Sequence, residues 1–165
     1  MNMSHVARAL ARGPASMSSP AARWAVSILA LAGATLLVWS SVIHLQLWSD
    51  GYRSISVIGP LFLIQGIGGI VLALAVVALR RVALLASGAL LLAGTAVGLL
   101  VSSAIGLFGF QDSLAVPYAT SSLAVEFTGA AIFLVATVTV LTSRSRVAVP
   151  ASANAPVQSL SGRRP

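Results

Sequence analysis

Residues 59–108, GPLFLIQGIGGIVLALAVVALRRVALLASGALLLAGTAVGLLVSSAIGLF, decide the fold, because the whole stretch carries two charged side chains, Arg80 and Arg81, side by side near its middle. Each flanking arm reaches the roughly 20 apolar residues that a helix needs to cross a bilayer. Two such arms joined through a bare Arg-Arg pair must run antiparallel, so the stretch reads as a membrane hairpin. A buried soluble bundle would instead carry polar stripes with a period near 3.6 residues, whereas here Leu, Val, Ile and Ala are free to face lipid throughout.

Outward from the hairpin, residues 24–49 form another uncharged run, and residues 113–143 form a fourth, broken only by Glu126. Helix cores are expected at 24–47, 59–79, 82–108 and 119–142. The predicted fold is all-α, a transmembrane four-helix up-down bundle spanning 24–143. Composition agrees: 58% of the 165 residues are hydrophobic and 8% are charged, where a soluble domain has about a quarter charged. Soluble enzymes and disordered chains are excluded. The absence of cysteine also excludes a disulfide, a thiol redox centre and a thiolate metal site.

All ten cations are arginines. With the heavy use of Ala, Val, Gly and Leu, this bias points to a high-GC bacterial genome. The net charge of +7 does not indicate nucleic acid as a partner, since the arginines flank apolar runs and form no basic face. Arg8, Arg12, Arg23, Arg80, Arg81, Arg144, Arg146, Arg163 and Arg164 fall on one side of the bundle, and only Arg53 lies on the other, with Asp50 and Asp112. Arg-rich short loops stay in the cytoplasm. The expected protein is therefore a multi-pass protein of the bacterial plasma membrane with both termini cytoplasmic, its first span retained and not cleaved as a signal peptide. Residues 1–23 and 144–165, rich in Pro, Ser and Ala, are expected to be disordered cytoplasmic tails.

Helices in lipid associate through small residues and hydrogen bonds, because lipid supplies little hydrophobic drive between them. Each span has such a stripe: Gly33, Ser40, Ser41 and His44; Gln65, Gly68, Gly69 and Ala73; Leu91, Thr95, Gly98, Ser102 and Gly106; Ser122, Glu126, Gly129 and Ala130. Helix packing is assigned to Gly68, Gly69, Gly94, Gly98 and Gly129, and interface anchoring to Trp24, Trp48, Tyr52 and Tyr118.

Glu126 is the most informative residue, since a charged acid near a span centre costs about 2.5–3.5 kcal/mol on insertion scales. At 1.5 Å per residue it lies roughly 12 Å inside Tyr118, while His44 lies about 6 Å inside Trp48 and Gln65 about 8 Å inside Pro60. His44, Gln65, Ser102 and Glu126 thus converge from four spans in the outer third of the bilayer, and Arg53 above them is a candidate counter-ion. Two readings compete. In one, these groups satisfy each other and lock the bundle, at about 0.6 kcal/mol per pair. In the other, Glu126 titrates with His44 and the cluster binds a proton, a small ligand or a lipid headgroup. The lone intramembrane histidine excludes bis-histidine haem, the ligand count disfavours zinc, and no Gly-x-Ser-x-Gly elbow marks a serine nucleophile. No catalytic residue, metal or cofactor is expected.

Residues 44–65, HLQLWSDGYRSISVIGPLFLIQ, resemble the distinctive segment of a group of small four-span integral membrane proteins from high-GC Gram-positive bacteria. The match runs through His44, Leu45, Gly51, Tyr52, Arg53, Ile55, Ile58, Gly59, Leu61, Phe62 and Gln65, and departs at Ser56, where the group tends to have proline. The resemblance implies a fold and a location but no reaction. The expected function is a non-enzymatic structural or accessory role in the membrane, alongside the lipid bilayer and either a membrane-protein partner or further copies of the chain. A small proton-coupled carrier using Glu126 and a quinone-binding subunit of a membrane oxidoreductase are the alternatives.

Overall fold

The computed structural model describes residues 3–143. Its helices are α1 (Met3–Ala11), α2 (Pro20–Ser49), α3 (Ile58–Leu79), α4 (Val82–Ile105) and α5 (Ala119–Thr142). The last four are long and apolar enough to cross a membrane, and they form a four-helix bundle. The chain is an integral membrane protein.

Local chemistry sets most helix ends. At α2 the Ser19 hydroxyl accepts the Ala22 N–H at 3.3 Å and Pro20 occupies the first turn, where its missing N–H costs nothing. Arg80 ends α3 in the left-handed region (φ 49°) and its N–H bonds Val76 O, so the chain reverses at once into α4. The third span stops at Ile105, three residues short of the expected 108. Gly106 takes φ 83°, and Leu107 and Phe110 then exchange backbone hydrogen bonds of 2.7 and 3.0 Å. An apolar run alone did not reveal that turn, because Leu107 and Phe108 are as lipid-compatible as the helix before them.

The bundle differs between its two ends. α2 packs on α3 and α5, and α4 packs on α5. The apolar core, with Met17, Leu37, Val76, Leu85, Phe133 and Val140 among its members, fills the end that carries the arginines. Phe133 is the key piece. Its ring lies between Gly33 of α2 and Gly88 of α4, close enough that a Cβ on either glycine would stand 2.8 or 2.6 Å from ring carbons. The other end, beneath the loops that hold Tyr52 and Asp112, is hollow and contains the buried side chains of His44, Gln65 and Glu126.

Over its described residues, 3–23, the N-terminal segment corrects the expectation of a disordered tail. Met3–Ala11 is helical and Met17 is fully buried. Arg12 is the fastener: its carbonyl accepts the Val82 N–H at 2.8 Å, and its guanidinium donates to Leu141 O at 3.2 Å and Ser143 O at 2.8 Å. Helix ends leave N–H and C=O groups without intrahelical partners, and one arginine serves the start of α4 and the end of α5 together. The expected tail 144–165, with Arg144, Arg146, Arg163 and Arg164, lies outside the described residues.

Candidate functional site

Three helices bring the polar cluster together. Glu126 of α5 is 1% exposed, and its Oε1 accepts hydroxyl hydrogen bonds from Ser40 of α2 at 3.0 Å and Ser122 one turn back on α5 at 2.9 Å. His44 of α2 approaches the same oxygen with Nε2 at 4.0 Å. The other ring nitrogen, Nδ1, lies 2.8 Å from Ser40 O. A carbonyl only accepts, so Nδ1 carries a proton and donates it to Ser40 O, and Nε2 is the nitrogen left facing Glu126. The four-residue spacing of Ser40 and His44, and of Ser122 and Glu126, puts each pair on one helix face.

Two buried polar atoms of this region have no hydrogen-bond partner: Glu126 Oε2 and Gln65 Nε2. Gln65 is 6% exposed. Both side chains line one cavity of about 400 Å³, and an unpartnered buried polar group is costly unless something fills its place. The cavity walls are otherwise mainly apolar residues of α3 and α4. Ile64 and Leu90, 67% and 73% exposed at membrane depth, also line the cavity, so it opens sideways between α3 and α4.

Aromatic rings cover the top. Phe62 stands 4.9 Å from the rings of both His44 and Tyr52, and Phe110 meets Tyr52 edge-on at 5.6 Å. The Tyr52 hydroxyl donates to Asp112 Oδ1 at 3.3 Å, joining the loop after α2 to the loop after α4. Burial raises the Tyr52 pKa above its usual value, and the negative charge and hydrogen bond of Asp112 raise it further.

The sequence-derived cluster is thus partly assembled. His44, Gln65 and Glu126 share the cavity. Ser102 also lines it, but its hydroxyl is used by the loop, donating to Phe110 O at 3.4 Å and accepting the Asp112 N–H at 3.2 Å. Arg53 does not pair with Glu126: it is exposed and does not line the cavity, and the basic side chain beside the acid among the described residues is His44. The partners that sequence reasoning left out of the cluster are Ser40 and Ser122, although both stood in the polar stripes. Tyr52 is a roof residue more than a lipid anchor. Tyr118, at the cavity mouth, and Trp24 are well exposed, while Trp48 is half-buried.

The packing glycines divide as well. Gly69 abuts Ser41, and a Cβ on Gly129 would stand 2.6 Å from Leu92, so these two hold close helix contacts. Gly68, Gly94 and Gly98 have open space where a Cβ would project. Gly94 and Gly98 widen the cavity and do not seat a neighbouring helix of this chain. No family model, curated protein or solved structure matches the chain.

Proposed function

We propose that this protein is a non-enzymatic accessory protein of the bacterial plasma membrane, its arginine-rich end cytoplasmic, that holds a lipid-soluble molecule in the cavity between α3 and α4. The observation that carries this reading is the pair of unpartnered buried groups, Glu126 Oε2 and Gln65 Nε2, on the wall of one largely apolar cavity. Ligand sites combine apolar walls with a few polar groups that fix orientation. A purely structural lock would consume its hydrogen-bonding capacity internally, and here half of the carboxyl and the amide nitrogen remain over. The sideways opening suits a ligand that arrives through the bilayer.

The test is mass spectrometry of the protein released intact from its own membranes in mild detergent. Wild type is expected to carry a bound apolar molecule, and Gly94→Phe, which projects a ring into open space, is expected to fold and to lose it. A wild-type protein that emerges with no bound mass overturns the reading.

A second reading, a proton-coupled carrier, is favoured by the 4.0 Å approach of His44 Nε2 to Glu126, since two titratable groups this close can pass a proton between them. In liposomes carrying a pH-sensitive dye, a carrier would acidify or alkalinise the lumen on substrate addition and Glu126→Gln would not. Equal traces from the two proteins would remove this reading.

A further inference from the structure

The distribution of charge around the cavity says more about its occupant. The chain has ten arginines and three acids, Asp50, Asp112 and Glu126. Two of the three acids line the cavity, while among the described residues no arginine does. The wall of this cavity is thus acidic in a strongly basic protein. His44 turns Nε2 towards the acid, its Nδ1–H being held by Ser40 O. Glu126 Oε2, at 1% exposure, makes no hydrogen bond, the nearby Thr95 hydroxyl being directed to the Leu91 and Leu92 carbonyls. Above them Phe62, Tyr52 and Phe110 line the same cavity, and aromatic rings attract organic cations, the more so when water is excluded.

We propose, resting on the pocket reading above, that the cavity takes a hydrophobic organic cation: a protonated amine whose N–H groups meet Glu126 Oε2, whose positive charge lies beneath the Phe62–Tyr52 pair, and whose apolar body leaves between α3 and α4 past Ile64 and Leu90. An anion meets two carboxyl groups and no arginine. A neutral molecule leaves the two carboxyl groups without a counter-charge. An ammonium supplies the donor that Glu126 Oε2 lacks and the positive charge that no arginine brings.

The experiment compares two probes of nearly equal size, 4-phenylbutylamine and 4-phenylbutanol, binding to the full chain in phosphatidylcholine nanodiscs at neutral pH, with empty nanodiscs subtracted. The amine is expected to bind at least tenfold more tightly than the alcohol. Glu126→Gln is expected to erase that preference while leaving alcohol binding intact, and Gly94→Phe to remove both. The comparison in wild type stands even if Glu126→Gln fails to fold. An alcohol that binds as tightly as the amine overturns the cation class and leaves the pocket reading in place. A wild-type protein that binds neither probe, yet retains a bound apolar molecule from its membrane, also overturns the cation class. If neither probe nor any membrane-derived molecule binds, both inferences fall.

Discussion

Phe133 sits in a slot whose two walls are hydrogen atoms of Gly33 and Gly88, so its surroundings have no room to give. Truncation to Phe133→Ala is expected to cost about 3–5 kcal/mol through lost contacts and the cavity left behind. Gly88→Ala is expected to cost about 1–3 kcal/mol by overpacking against the ring. Thermal unfolding in detergent, with both Tm values below wild type, checks the pair. Tyr52 gives a prediction in pH. Its pKa is raised in the folded protein by burial and by Asp112. The contribution of the Tyr52–Asp112 bond is therefore complete below the unfolded tyrosine value of about 10 and is lost as pH rises through the higher folded value. Phenolate absorbance in a Tyr118→Phe background, where Tyr52 is the sole tyrosine, should titrate above the usual value, and Asp112→Asn should bring it down. At this scale the sequence disclosed Glu126, His44 and Gln65, because rise per residue turns positions within a span into depths. Phe133 was not disclosed as a lock, since one more apolar side chain in an apolar helix carries no periodic signal.

Among the elements, the segment before α2 departs furthest from its sequence reading. Its residues have the composition of a loose tail, and what holds them is a demand made elsewhere: the first N–H of α4 and the last carbonyls of α5 need partners, and Arg12 supplies all three bonds. Such a demand arises only when distant helix ends are neighbours, so no local pattern announces it. Arg12→Ala is expected to destabilise the bundle by about 1–2 kcal/mol, given charge-assisted bonds at a half-buried site. Hydrogen exchange at the Val82 amide should accelerate in that variant if the segment detaches, and unchanged exchange would mean that the segment stays docked without the guanidinium. The four spans, by contrast, followed from length and apolarity to within a few residues at most ends. Only the turn after Ile105 escaped, because a glycine within an apolar run reads equally as helix or as stop.

For the molecule as a whole, the natural absence of cysteine makes topology measurable with single introduced thiols. With the arginine-rich end cytoplasmic, Arg53→Cys should react with a membrane-impermeant maleimide on intact cells, and His5→Cys only after permeabilisation. The reverse pattern would invert the proposed orientation. The overall plan was readable because four apolar runs and one tight arginine hairpin admit few arrangements, whereas the void between α3 and α4 was not, since Gly94 and Gly98 look the same in sequence whether they seat a helix or border empty space. That void has a mechanical consequence. Close-packed interiors scarcely compress, and pressure acts on a protein chiefly by eliminating its internal voids. This bundle is filled around Phe133 at one end and hollow beneath Tyr52 at the other. Hydrostatic pressure should therefore strain it unevenly, drawing α3 and α4 together beneath the Tyr52 roof well before it disturbs the glycine slot, and an occupant of the cavity should make the two ends equally stiff.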